Sequence, residues 1–349
     1  MRESDLPRKH ENTKPPVPFL FFVISCFRGY ARAHETACRH LSIALVVALA
    51  LTAAASVGAQ QPSAGDRVAI EVLPVQKNVY LLAGAGGNIT VQIGSEGVLL
   101  VDTGLAASVP QVIAEIRRLS KGPIRVIINT HVHPDHVGGN AAFAALPPDP
   151  LQPLDIVAHE NVLGRLARPV TSKETPPLIP GLPRSEYFTP TKDLHFNGEA
   201  IVLYHEPKAH TDGDSVILFR GSDVVSAGDI FTPGGYPFID LDAGGSIAGE
   251  IAALNHILEL TVPGHTQEGG TYVIPGHGRI CDEADVVEYR DMVVIVRDRI
   301  QDLIGKRMTL DQVKAARPTR DYDGEYVTPG SVVSADRFVE SIYKSLSQK

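Results

Sequence analysis

Thr130-His131-Val132-His133-Pro134-Asp135-His136-Val137-Gly138-Gly139-Asn140 is the stretch on which the reading of this chain turns. It places three imidazoles and a carboxylate within six residues, directly after Ile124-Arg125-Val126-Ile127-Ile128-Asn129, a β-branched run that reads as a buried strand. Neutral imidazole nitrogens and carboxylate oxygens are the donors that a zinc-like ion accepts. In a tight loop the side chains at 131 and 133 face one ion while those at 135 and 136 face another. Four donors in one loop therefore predict two ions. A surface loop merely rich in histidine would find no matching donors elsewhere in the chain.

Matching donors are present downstream, each in a loop after a strand-like run. His210 lies in Pro207-Lys208-Ala209-His210-Thr211-Asp212-Gly213-Asp214, Asp229 in Ser226-Ala227-Gly228-Asp229-Ile230-Phe231, and His277 in Ile274-Pro275-Gly276-His277-Gly278. The series H-x-H-x-D-H, a distant His, an Asp after small residues and a final P-G-H-G resembles the metallo-β-lactamase-fold superfamily of metallohydrolases over residues 68 to 280. The resemblance implies an α/β fold, a four-layer αββα metallo-β-lactamase sandwich. It implies a first metal on His131, His133 and His210, a second on Asp135, His136 and His277, and Asp229 bridging the two. Asp102, at the end of the apolar run Leu99-Leu100-Val101, would support the metal loop from behind. Imidazole and carboxylate donors favour two Zn2+, with Fe or Mn as alternatives.

The activity implied is that of a zinc-dependent hydrolase using a metal-bridging hydroxide to open a cyclic amide or ester of a small-molecule substrate, with Asp135 orienting the hydroxide and relaying its proton. Two departures bear on the substrate. The best-known secreted β-lactamases carry a cysteine where this chain has Asp229, and a substrate-binding lysine where it has Thr232. A lactonase or a glyoxalase II-type thioesterase is the alternative within the fold, and a non-hydrolytic metal-binding or iron redox protein is the alternative of another class. After Asp229, Tyr236 is a candidate oxyanion donor, set against a turn held by packed aromatics.

The apolar run 41–55, preceded by Arg39-His40 and ending near Ala59, reads as a secretory signal cleaved after Ala59. This divides the chain into an extension and signal over 1–59, a linker over 60–66 and a single domain over 67–349, including C-terminal helices, with a periplasmic or secreted location. About fifteen apolar residues fall short of the roughly twenty that span a bilayer, so no stable membrane span is expected after processing. Of the three cysteines only Cys281 follows the cut, so no internal disulfide is expected. The formal charge is −8, and the leader removes seven basic and four acidic residues. So acidic a chain is a poor partner for nucleic acid. Nothing in the sequence bears on oligomeric state.

Strand-like runs at 68–73, 79–82, 89–93 and 98–101, punctuated by glycine turns, predict an antiparallel meander. Apolar spacing predicts a helix over 106–120, and Asn140 is a candidate N-cap for a short helix after the metal loop. Strands are expected at 156–158, 200–204, 215–219, 224–226 and 272–274, and helices at 161–168, 246–260, 284–304, 310–316 and 338–346. The proline-rich stretch 169–191 is a candidate wall over the site. Arg290, Arg297 and Arg299 alternate with aspartates and predict a self-paired helix face.

Overall fold

The expected meander forms from β1 (Glu71–Gln76), β2 (Val79–Ala83), β3 (Ile89–Gly94) and β4 (Gly97–Val101), paired antiparallel in chain order. The computed structural model describes residues 69–148, 152–167, 180–267, 269–327 and 332–347, all within the unit Arg67–Lys349. The expected signal, its cleavage point and the linker 60–66 lie outside the described residues. β1 runs three residues beyond the expected end, through Pro74. It can do so because β1 is the sheet edge, where a missing N–H costs no ladder bond.

After one 3-10 turn, helix α1 (Val109–Leu119) carries the chain to β5 (Ile124–Ile128), which lies parallel to β4. Helices α2 (Pro134–Val137) and α3 (Asn140–Ala144) follow, then β6 (Asp155–His159), α4 (Glu160–Leu166) and β7 (Ser185–Tyr187). Together β1 to β7 make a seven-stranded sheet in sequential order, parallel from β4 onward. A second, five-stranded sheet runs β12-β11-β10-β9-β8, from β8 (Thr191–Phe196), β9 (Glu199–Glu206), β10 (Asp214–Phe219), β11 (Val224–Gly228) and β12 (Tyr272–Pro275). Its β11–β12 pair is parallel. The remaining helices are α5 (Ile247–Leu260), α6 (Glu283–Gly305), α7 (Leu310–Ala316), α8 (Asp323–Tyr326) and α9 (Ala335–Ser347). Among the described residues no helix is long and apolar enough to cross a membrane.

The apolar side chains sort into layers. Leu81, Leu99, Val101 and Ile128 of the first sheet meet Ile201, Leu203, Ile217 and Ile274 of the second between the sheets. Their neighbours Leu82, Leu100 and Ile127 point the other way, against Val112 and Ile116 of α1. Buried on both faces, β4 reads as an unbroken apolar run, as a central strand of such a sheet does, while Arg125 alone interrupts β5. On the far side Val216, Val225 and Val273 meet Leu254 and Ile257 of α5, Val293 and Val296 of α6 and Phe338 of α9. Helix, sheet, sheet, helix is the expected αββα order, and each such fully buried side chain contributes roughly 1.5–3 kcal/mol.

The expected wall over 169–191 is corrected in its described part. Residues 168–179 lie outside the description, whereas Arg184 N donates to Ile156 O at 2.9 Å and the chain continues as β7 alongside β6. β8 was unforeseen as well. It is an edge strand whose outward Thr191, Asp193 and His195 interrupt any apolar run. The arginine face is self-paired at Arg290–Asp291 and Arg297–Asp298, while Arg299 reaches Asp321 beyond the helix.

Candidate metal centre

The seven expected donors converge at one end of the sandwich. The loop after β5 carries His131 and His133 and the short α2 that follows it Asp135 and His136, the β9–β10 loop carries His210, and the ends of the parallel β11 and β12 carry Asp229 and His277 side by side. Ser215 N donates to Thr130 O at 2.9 Å and so joins the two sheets there. His131, His133, His210 and Asp229 form one group that could hold an ion, and Asp135, His136 and His277 another, each with ligand atoms within 4.8 Å of one another.

Asp102 orients the inner side of this centre. Its backbone sits in the left-handed region, φ 66°, which Asp tolerates better than most residues. Its carboxylate accepts from Thr130 N at 2.8 Å, Thr130 Oγ1 at 2.7 Å and His136 Nδ1 at 2.8 Å. A hydroxyl has a single proton, and Thr130 gives it to Asp102. Thr130 Oγ1 therefore accepts from His131 Nδ1, 2.9 Å away. In the same way His210 Nδ1 donates to Phe238 O, and His133 Nε2 to Asp240 Oδ2 at 3.0 Å. The tautomers assigned from these partners leave Nε2 of His131, His136 and His210 and Nδ1 of His133 bare and turned inward.

Bare His210 Nε2 and His133 Nδ1 lie 2.9 Å apart. Asp229 straddles the groups, with Oδ2 at 3.9 and 3.8 Å from His131 and His210, and Oδ1 at 3.1 and 3.4 Å from His136 and His277. Among the described residues His131 Nε2, His136 Nε2 and Asp229 Oδ1 are buried with no hydrogen-bond partner. Lone pairs facing one another around a buried carboxylate are the donor arrangement that a cation satisfies, so the residues fit the metal ions that the fold implies.

Burial holds His131 well below the ordinary histidine range and takes His210 to about 4, so both are neutral ligands at pH 7. Burial also disfavours charge on His136, but Asp229 and Asp102 outweigh it and lift its pKa well above the usual value. His277, opposed by burial but with the Asp135 and Asp229 carboxylates 3.3 and 3.4 Å away, rises to about 9. The field that draws protons onto these two imidazoles is the one that would draw a dication in their place.

Close approach at the centre needs two glycines. A Cβ at Gly276 would fall 1.9 Å from Asp229 Oδ1, and one at Gly87 would fall 2.6 Å from His136 Cε1. Two expected roles are corrected. Asn140 is no N-cap; Gly139 holds that position, and the Asn140 amide is buried in mutual bonds with Asn129 at 2.8 and 3.2 Å. Tyr236 is no oxyanion donor, because its hydroxyl reaches Asp323 Oδ1 at 3.0 Å and Thr319 O at 3.2 Å while its ring stacks on Tyr326 and Phe338. Sequence reasoning missed Thr130, Asp240 and the Phe238 carbonyl. Only Thr130, flanking the motif, had a local signal.

A cavity of about 520 Å3 opens on the centre, lined by His133, Asp135, Asp229 and His277 on one side and by Pro233, Phe238 and Val333 on the other. A larger one, about 710 Å3, lies beside Arg117 and Phe143 and touches none of the seven donors.

A sequence-family model of the metallo-beta-lactamase superfamily matches residues 74–280. A linear primary-alkylsulfatase of Pseudomonas sp. (strain ATCC 19151) is 45% identical over 51 residues, which is 14% of this chain and 10% of the relative. The structure of the stereoselective inverting sec-alkylsulfatase Pisa1 from Pseudomonas sp. aligns with 79% of this chain and 50% of its own, at 15% identity and a TM-score of 0.57. A metallo-beta-lactamase from Pontibacter korlensis covers 64% of this chain and 99% of its own, at 18% identity and a TM-score of 0.49. The chain thus spans half the length of the alkylsulfatase structure and a tenth of the alkylsulfatase sequence it matches.

Proposed function

The chain belongs to the metallo-beta-lactamase superfamily, and from that premise we propose an exported, dinuclear metal-dependent hydrolase that opens a cyclic amide or ester in a small-molecule substrate. The observation that carries the proposal is the set of inward, bare donor atoms in two groups sharing Asp229. His131, His133 and His210 with Asp229 Oδ2 would hold one ion, and Asp135, His136 and His277 with Asp229 Oδ1 the other. Ions bound there supply a nucleophile from water at neutral pH and polarise the scissile group.

The chain's own residues do the rest. Thr130, Asp102, Asp240 and the Phe238 carbonyl hold the imidazoles of His131, His136, His133 and His210 in their tautomers. Asp135, with a 31% exposed side chain against 12% for Asp229, faces the cleft and takes and returns the proton there. Phe238, Pro233 and Val333 present an apolar wall that displaces water and receives the substrate. Hydrolysis of a sulfate ester is a second reading, favoured by the 45% identical stretch shared with the alkylsulfatase. Export rests on the apolar run 41–55 and Ala59, and a mature N-terminus at Gln60 is the expected result of protein sequencing.

Metal content by mass spectrometry, with turnover of a chromogenic cephalosporin, a simple lactone and an alkyl sulfate in the same sample, tests the proposal. Two zinc ions with cephalosporin hydrolysis support the β-lactamase-like reading. Lactone or alkyl sulfate turnover alone selects the corresponding alternative, and one iron with no hydrolysis overturns the hydrolase.

A further inference from the structure

We infer that Arg337, on the first turn of α9, is the residue that recognises an oxyanion on the substrate, set apart from the bond to be cleaved. α9 lies beyond residues 74–280, the part of the chain that the superfamily matches. The inference rests on the hydrolase reading above, and it names the substrate class of that same cleft.

Placement comes first. The Arg337 guanidinium stands over the Phe238 ring, its carbon 4.4 Å from the ring centroid. That ring stacks on His133 at 5.7 Å and meets His210 at 5.6 Å, and it lines the cavity over the metal centre. One aromatic ring therefore separates the cation from the inner donors. Val333, four residues before Arg337, lines the same cavity, and Val332 lies at its mouth with 79% of its surface exposed. The C-terminal arm thus brings an apolar contact to the cleft and a positive charge onto the Phe238 ring that walls it.

Availability comes second. Three arginines on neighbouring segments have carboxylate partners: Arg279 with Asp285 at 2.6 Å, Arg299 with Asp321 at 2.8 Å and Arg317 with Asp323 at 3.0 Å. Among the described residues Arg337 has none. Its planar fork of donors is held by the cation–π contact and left open to bind. Among the described residues the charged groups that line the cleft are Asp135 and Asp229, with His133 and His277 beside them, and none of them is a fixed side-chain cation that a second anion in the substrate could meet. Thr232 supplies no charge, and its hydroxyl lies 3.2 Å from Tyr289 Oη. The ligand that fits is a carboxylate or a sulfate joined by a short apolar spacer to the ester or amide at the centre.

The test compares zinc-loaded wild type with Arg337→Gln and Arg337→Lys, using mono-4-nitrophenyl glutarate as the anionic ester and 4-nitrophenyl valerate as its neutral counterpart. In Arg337→Gln the KM for the anionic ester rises about tenfold with kcat unchanged, the effect of losing one charge-assisted contact at a partly exposed site. The neutral ester moves by less than about twofold, and Arg337→Lys restores part of the difference. Equal weakening of both esters, or of neither, overturns the inference. Calorimetric titration of the same three proteins with hexanoate and with hexyl sulfate needs no turnover. Weaker binding of both in Arg337→Gln supports a general oxyanion site, and weaker binding of one identifies its source. If the wild type cleaves neither ester, the hydrolase reading fails for these esters while titration still decides the arginine: unchanged binding of both ligands overturns it.

Discussion

The inner and outer members of the centre are held in different ways. His131, His136 and His210 are fully buried, and each has its second nitrogen bound to an oxygen of the surrounding protein. Asp135 and His277 stand at the cleft with side chains 31% and 40% exposed and lean on one another at 3.3 Å. The inner set is therefore part of the core, where a lost bond costs stability and affinity together. The outer set can change protonation and partners without disturbing the sandwich. Metal donors thus stand on both sides, fixed in the core on the rigid one and facing the substrate cleft on the open one.

The largest effect that could break this comparison is loss of the buried His131 together with the partly exposed His133. His131→Ala with His133→Ala should leave no measurable hydrolysis and remove one equivalent of metal while circular dichroism stays native; surviving turnover would sink the assigned site. On the open side, Asp135→Asn should lower kcat roughly 10²–10⁴-fold, the range for a lost proton-transfer group, at an unchanged Tm. A large fall in Tm there would erase the contrast. Asp102→Asn, on the rigid side, should weaken metal binding about 10–100-fold in a chelator competition and also lower Tm.

Smaller effects sharpen the comparison. Tyr236→Phe should cost about 1 kcal/mol of stability through the lost bond to Asp323 and leave kcat unaltered, since the phenol serves the packing of α8 and α9. A fall in kcat with no change in denaturant midpoint would return it to catalysis. The smallest effect lies outside the centre, where His256 Nδ1 is 2.5 Å from Glu206 Oε1 and that bond raises the His256 pKa above 6.5. A raised folded-state pKa stabilises fully below the unfolded value and ceases to do so as pH rises through the folded one. His256→Gln should therefore lower Tm at pH 5.5, by less than about 1 kcal/mol in stability, and hardly at pH 9. Equal losses at both pH values would show that the charge is not involved.

The donors were legible because metal-binding chemistry admits few residue types and the motif crowds four of them beside a strand. Asp102 was legible for a related reason, as an acid closing a fully apolar strand. The edge strands were harder to read. Pro74 is a stop signal by local rule and harmless at a sheet edge, while β8 alternates polar residues outward and lacks an apolar run. Asn140 carries an N-cap side chain, yet Asn129 and Thr103 offer it buried partners that outbid a backbone N–H.

By itself the sequence marked the strand and helix runs and the candidate donors, because apolar periodicity and ligand type are properties of the local chain, while the layered order followed from the family resemblance that its motifs carry. Only the tertiary structure decided which nitrogen of each histidine faces inward, since the partners Asp102, Phe238 O and Asp240 come from other segments. It also decided that Tyr236 is spent on packing and that Arg337 stands beside the cleft. Those outcomes depend on contacts across 87 and 99 residues of sequence, which no local pattern encodes.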